Sequence, residues 1–287
     1  MTDLSRADLR TLWLLGRPVA HSLSPLIQNA ALAQLGLPIV YLAAQVEEDH
    51  FESAVRGLAS LGALGANVTV PYKEAAFRLC HHTSQRAQAV GACNVLKFVN
   101  GSILGDNTDG QGWLRGLDEI LGSRVPARAL VIGAGGAARA VVHSLSGRCV
   151  PEIVVLNRTL RRAQALVEEL GGTSGCLRAS SLDHWERHLI PDCLVVQTTS
   201  AGLGDQASPV DLPSRWPQGA VLSELLYGRD TSLAASVRAL GGTVYDGLPM
   251  LVYQAAESLS IWLERPLEEI PAGLMMETAR RYLSSRT

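Results

Sequence analysis

Arg128-Ala-Leu-Val-Ile-Gly-Ala-Gly-Gly-Ala-Ala-Arg139 is the stretch on which the fold turns. Ala129 to Ile132 form an apolar run too short for a helix and read as a buried strand. Gly133, Gly135 and Gly136 then make a turn free of side chains around Ala134. Ala137 to Ser146 reads as a helix that starts at once, so its first free N–H groups face the glycine turn and form a seat for a phosphate. The spacing is Gly-x-Gly-Gly-x-Ala rather than Gly-x-Gly-x-x-Gly, so the match is not specific alone.

The following segments extend the pattern. Ile153–Leu156 reads as a second strand and Leu160–Leu170 as a helix ended by Gly171-Gly172. Leu194–Val196, Val221–Leu226 and Thr243–Tyr245 are further buried strands, which together predict a doubly wound domain over 109–246. The second strand ends in Asn157-Arg158-Thr159, where an acid for ribose hydroxyls is usual. Arg158, backed by Arg161 and Arg162, instead suits a 2′-phosphate, which points to NADP. A solvated helix start is the plainer reading, but three cations there oppose the helix dipole, and a bound anion explains them better.

Upstream, Leu12–Leu15 reads as a strand ending at Gly16, Arg17–Ser24 as a loop, and Ser24-Pro25 as a helix start with Ser24 as cap. A strand at Ile39–Val46, a helix at Glu48–Leu61 and a strand at Ala66–Val70 follow, so a parallel-rich sheet is expected. Lys73–Cys80 and Ser84–Val90 read as helices, and Asn94–Val99 with Ser102–Gly105 as a hairpin about Asn100-Gly101. The helix from Asp109, with Trp113, Leu114, Leu117, Ile120 and Leu121 apolar, bridges to the glycine domain. Met250–Glu264 and Pro266–Leu283 read as two tail helices, with Leu251, Ala255, Leu259 and Trp262 as one apolar stripe. They are expected to return to the first domain. The predicted organisation is α/β, with a substrate domain of 1–108 and 247–287 and a Rossmann-like NADP domain of 109–246.

Composition narrows the classes of function. A chain of 287 residues, 47% hydrophobic, has material for two cores. A net charge of −2 without a basic run excludes a nucleic-acid surface. Met1 to Arg6 carries an acid before a first apolar run of only Leu12 to Leu15, unlike a signal peptide or a membrane span, so a cytoplasmic protein is expected. Cys80, Cys93, Cys149, Cys176 and Cys193 are scattered without a Cys-x-x-Cys pair and read as free thiols. His184-Trp-Glu-Arg-His188 lacks the glutamate position and third ligand of a zinc site, so no metal is expected. The expected partner is a small molecule, with neither nucleic acid nor membrane, and the expected state is a monomer or homodimer.

Several side chains outside the glycine domain suit alcohol oxidation. Lys73 follows Pro71 in the first turn of its helix; as a surface lysine it opposes the dipole, whereas shielded near a strand end it can exchange protons. Asp109 suits a helix cap and also an acid/base partner for Lys73. Ser22 and Ser24 could hold a carboxylate, a role that for Ser24 stands level with capping. Asn94 and Gln254 suit a polyol; each taken singly also fits a turn or a solvated helix position.

Taken together these segments resemble the shikimate dehydrogenase family from about Leu14 to Trp262. Gly16-Arg-Pro-Val-Ala-His-Ser-Leu-Ser-Pro25 is similar to the family's carboxylate loop, which makes Ser22 and Ser24 substrate ligands. Gly65-Ala-Asn-Val-Thr-Val-Pro-Tyr-Lys73 matches the segment of Thr69 and the catalytic lysine. Gly91-Ala-Cys-Asn94 supplies the substrate asparagine, and Gly105-Asp-Asn-Thr-Asp-Gly110 the catalytic aspartate Asp109 beside Thr108. Gly247-Leu-Pro-Met-Leu-Val-Tyr-Gln254 matches the segment of the substrate glutamine, and Asn157-Arg-Thr159 the NADP signature. The resemblance further implies Tyr227 on the substrate and Thr199 and Gly247 on the cofactor. Val95, Gln197, Leu203 and Glu224 depart from the usual Thr, Asn, Met and Asp. The implied activity is NADP-dependent interconversion of 3-dehydroshikimate and shikimate; quinate or amino-shikimate as substrate, or a weakly catalytic NADP(H) sensor, are the alternatives.

Overall fold

The computed structural model describes residues 8–171, 176–183, 185–201 and 207–285; Met1 to Arg6, Gly172, His184 and Leu203, read above from sequence, lie outside them. The chain divides into two compact units, Met1–Gly112 with Leu251–Thr287, and Trp113–Met250. The first contains β1 (Arg10–Gly16), α1 (Ser24–Gln34), β2 (Ile39–Gln45), α2 (Phe51–Ser60), β3 (Gly65–Val68) and α3 (Lys73–Leu79). It continues through β4 (His82–Thr83), α4 (Gln85–Val90), β5 (Val95–Val99), β6 (Ser102–Asp106) and the start of α5 (Asp109–Leu121). The second holds β7 (Ala129–Ile132), α6 (Gly136–Gly147), β8 (Ile153–Asn157), α7 (Leu160–Gly171) and β9 (Leu177–Ser181). It ends with β10 (Leu194–Gln197), β11 (Val221–Glu224), α8 (Ser232–Ala239) and β12 (Thr243–Tyr245). The chain re-enters the first unit along α9 (Leu248–Leu263) and finishes with α10 (Ala272–Ser284).

The first unit's sheet has the order β2-β1-β3-β5-β6-β4. β1 is parallel to β2 and β3, and β4 to β6, so the sheet is mostly parallel as expected, with β5 as its one antiparallel strand, set against β3 and β6. The reason is local: Asn100 and Gly101 take positive φ, 49° and 77°, and so tight a turn joins only antiparallel neighbours. The expected helix at Glu48–Leu61 opens as a 3-10 turn, Glu48–His50, before α2. β3 stops at Val68, ahead of the predicted Val70. The α9 side chains are buried from Gln254 to Leu259 rather than along one stripe, and α10 packs on α1.

The second unit's sheet is parallel throughout, in the order β12-β11-β10-β7-β8-β9. Helices cover both faces, so the central strands β7, β8 and β10 are nearly continuous apolar runs. Ala129 and Val131 face a cluster with Trp113, Leu117 and Val141, while Leu130 and Ile132 face one with Leu222, Leu233 and Val237. Ile120, one of the apolar positions of α5, is on the surface at 36% exposure. Pattern reading misses β9, since Leu-Arg-Ala-Ser-Ser carries little apolar signal, and also β4 and α8. The units part at Gly112/Trp113 and Met250/Leu251, inside α5 and α9, four residues beyond the limits drawn from sequence. Asp109 and Gly247 mark helix starts, and the helices belong to both units. Among the described residues no helix is long and apolar enough to cross a membrane.

Candidate active site

In the first unit β1 and β3 run parallel, so the loop after Gly16 and the segment after Val68 leave the sheet at one end. A Cβ on Gly16 would lie 2.2 Å from Thr69 Cγ2, so glycine is what lets Thr69 sit against β1. Beyond it α3 presents Lys73 in its first turn. Lys73 Nζ donates to Asp109 Oδ2 at 2.6 Å, with side-chain exposures of only 15% and 5%. A charge-assisted bond in this shielded place is held more firmly than on the surface.

The cap expected of Asp109 on α5 falls instead to Asn107, whose Oδ1 accepts the Asp109 N–H at 3.1 Å. Asn107 is itself fixed by donating to Ala92 O at 2.8 Å. The Asp109 carboxylate is thereby left to Lys73 and Asn94. Asn94 Nδ2 donates to Asp109 Oδ1 at 2.9 Å, Thr108 Oγ1 at 2.9 Å and Gln254 Oε1 at 3.1 Å, and Asn94 Oδ1 accepts the Thr108 N–H at 2.8 Å. Lys73, Asn94, Thr108, Asp109 and Gln254 therefore form one network.

Behind it stands a buried polar chain that sequence reading missed. Tyr41 Oη donates to Asn67 Oδ1 at 2.8 Å; Asn67 Nδ2 donates to Asn94 O at 2.9 Å and Ser258 Oγ at 3.0 Å; Ser258 Oγ donates to Gln254 O at 2.8 Å. The signal that could have found it is a polar residue inside an otherwise apolar strand, Asn67, since such a group must be partnered. Arg86 reaches Asp106 at 2.6 Å and Glu257 at 2.8 Å. Burial alone would raise the Asp106 carboxyl, but bonds from Arg86 and Ser84 outweigh it and hold it below the usual range. Ser22 and Ser24 form a separate pair, Oγ to Oγ 3.1 Å. Ser24 is the first residue of α1 rather than its cap, and Ser22 Oγ accepts the Ser24 N–H at 3.2 Å.

In the second unit the strand order reverses between β7 and β10, which is where doubly wound sheets take ligands. Gly133 leaves β7 there at φ 116°, and a Cβ on it would lie 2.4 Å from Thr198 Oγ1. Gly135 precedes α6 with nothing within 4 Å of where its Cβ would be, and no side chain caps the helix. Those open amides, with Gly136 and Ala137 in the first turn, suit an anion. At the end of β8, Asn157 Nδ2 donates to Thr159 O at 2.9 Å, and Arg158, Arg161 and Arg162 are exposed. Thr199 is held by Gln197, whose Oε1 accepts its N–H at 2.5 Å and whose Nε2 donates to Ala201 O at 3.1 Å. Tyr227 lies in the loop after β11. Glu224 pins that loop: Oε1 accepts from Leu226 N at 3.3 Å and Oε2 from Thr231 Oγ1 at 3.0 Å. Burial pushes the Glu224 carboxyl up to about 7. Gly247 packs on Leu225 O, 2.0 Å from its would-be Cβ. Val95 sits fully buried in β5 beside Asn94.

A doubly wound unit with an open glycine turn and a second α/β unit bearing a shielded lysine–aspartate pair define a class, the nicotinamide-nucleotide oxidoreductases. Residues 14–96 match the model of the shikimate dehydrogenase substrate binding domain, and residues 117–202 that of shikimate / quinate 5-dehydrogenase. Shikimate dehydrogenase (NADP(+)) of Methanopyrus kandleri is 39% identical over 96% of this chain and 97% of its own. Shikimate dehydrogenase from Aquifex aeolicus superposes with a TM-score of 0.86 at 31% identity, covering 96% of this chain and 99% of that one. The Thermus thermophilus enzyme, solved with NADP(H) and shikimate, gives 0.81 at 36% identity, covering 95% and 99%. The chain belongs to the shikimate dehydrogenase family.

Proposed function

We propose that this protein interconverts 3-dehydroshikimate and shikimate with NADP, and that Lys73 and Asp109 handle the proton. The observation that carries the reading is the shielded Lys73–Asp109 bond at 2.6 Å, with both carboxylate oxygens engaged. A substrate hydroxyl bound there meets an ammonium and a carboxylate that already share a proton, so its proton moves by a short path as the carbon is oxidised. Asn94 keeps Asp109 from turning away. Gln254, tied to Asn94, supplies an amide for a neighbouring hydroxyl, and Ser22, Ser24 and Thr69 take the remaining polar groups of a hydroxy acid. The first unit is thus the substrate domain and the second the cofactor domain.

NADP, when bound, accepts or supplies the hydride. The residues fit it: Gly133, Ala134, Gly135, Gly136 and Ala137 offer a seat for the pyrophosphate, and Asn157, Arg158 and Thr159 one for the 2′-phosphate. Thr199 and Gly247 complete that set. An absorbance assay of reduced nicotinamide tests the reading, with shikimate and quinate each offered with NADP and with NAD. Shikimate with NADP is expected to turn over fastest. Faster turnover of quinate would move the assignment to that acid, and no turnover with any pair would refute a dehydrogenase of this class.

A further inference from the structure

Cys80 and Cys93, thirteen residues apart and unremarkable in sequence, bring their sulfurs to 4.0 Å. Both are free thiols, Cys93 buried and Cys80 partly exposed. The space for them is made by Gly105, where a Cβ would lie 2.4 Å from one sulfur and 2.6 Å from the other. Each cysteine is also wired to the candidate active site. Cys80 ends the helix that Lys73 begins. Cys93 N donates to Lys73 O at 2.9 Å, and the next residue is Asn94, which holds Asp109.

We propose that Cys80 and Cys93 are a modification site, a peroxide-reactive dithiol whose oxidation to a disulfide impairs the Lys73–Asp109 site. The consequence for turnover rests on the dehydrogenase reading above; the dithiol itself does not. Cys80 meets the oxidant first because it is the more exposed. The Cys93 thiol beside it also holds Cys80 below the usual thiol range, against the opposing effect of burial, whereas Cys93 is pushed up by Cys80 and by burial. The Cys80 thiolate attacks hydrogen peroxide, giving a sulfenic acid and hydroxide. The Cys93 thiol then attacks that sulfur, forming the S–S bond and releasing water. In all, two thiols lose two protons and two electrons, and one peroxide becomes two waters.

A disulfide needs its sulfurs about 2 Å apart, so the pair must close by about 2 Å. Cys93 is fully buried among close-packed neighbours and cannot turn freely, so part of that movement passes to its backbone and to Asn94. Displacement of a positioning group by a fraction of an ångström suffices to lower turnover by about tenfold or more.

The test treats the reduced protein with hydrogen peroxide, alkylates the remaining thiols, and maps peptides without reduction while assaying NADP-linked shikimate turnover. A linked Cys80–Cys93 peptide is expected, with turnover lost by about tenfold or more and restored by dithiothreitol. Cys80→Ser, in reduced form, should keep turnover within about twofold of wild type and hold it through peroxide. The proposal is overturned if both thiols remain alkylatable after peroxide, if the link forms without loss of turnover, or if Cys80→Ser is inactivated equally. A reduced protein without turnover at the outset refutes the dehydrogenase reading instead, and the peptide map still decides the dithiol.

Discussion

At the scale of single residues, the two most informative side chains are Lys73 and Glu224. Lys73 lies at the centre of the proposed chemistry, so Lys73→Ala should lower kcat by about 10²- to 10⁴-fold while the KM for shikimate changes little. Steady-state kinetics reads the split, and a variant with normal kcat removes the lysine from the mechanism. Glu224 is instead a stability group. Its carboxyl is held at about 7 by burial, against 4.5 in an unfolded chain. Between those pH values the folded protein keeps a proton that the unfolded chain gives up, so stability falls as pH rises from 4.5 to 7 and levels off above. The shift corresponds to a loss on the order of 3 kcal/mol. Glu224→Gln cannot ionise, so its melting temperature relative to wild type should rise from pH 5 to about 7 and level off above; a constant gap from pH 5 to 8 would show that Glu224 does not titrate there.

At the scale of elements, the site depends on how closely α5 and α9 approach. A Cβ on Gly112 would lie 2.5 Å from Gln254 N and 2.7 Å from Gln254 Cβ, and neither atom belongs to a flexible side-chain end. Gly112→Ala must therefore push back the α9 turn that carries Gln254, at a cost of about 1–3 kcal/mol. Thermal unfolding should register that loss, and the KM for shikimate should rise because Gln254 leaves Asn94; an unchanged KM would detach Gln254 from the substrate. The same elements mark how far sequence could be read. The hairpin at Asn100-Gly101 and the strand at Ala129–Ile132 were legible because turn chemistry and apolar runs are local signals. β9 was not, because a strand of polar composition takes its conformation from its neighbour β8.

At the scale of the whole molecule, the two units divide the proposed labour, and cofactor choice should be separable from chemistry. Arg158→Ala is expected to raise the KM for NADP by about tenfold or more, the worth of a charge-assisted bond, while leaving NAD and kcat nearly unchanged. Equal effects on NADP and NAD would release the 2′-phosphate from Arg158. The division of the chain was visible as a change of pattern, but its limits were not. The linking segments are helices, and a helix gives no local mark where one core ends and the next begins.

The sequence by itself determined the glycine turn, the helix that begins on it, the arginine in place of an acid, and the membership of Lys73, Asn94, Asp109 and Gln254 in a family pattern. These depend on backbone conformation and residue chemistry over a few positions. Only the tertiary structure decided that Asn107 rather than Asp109 serves the helix start, and that Asn67 and Ser258 hold the asparagine and glutamine from behind. It also decided that Cys80 and Cys93 meet over Gly105. Those are contacts between segments distant in sequence, set by how buried polar groups find partners when strands and helices pack.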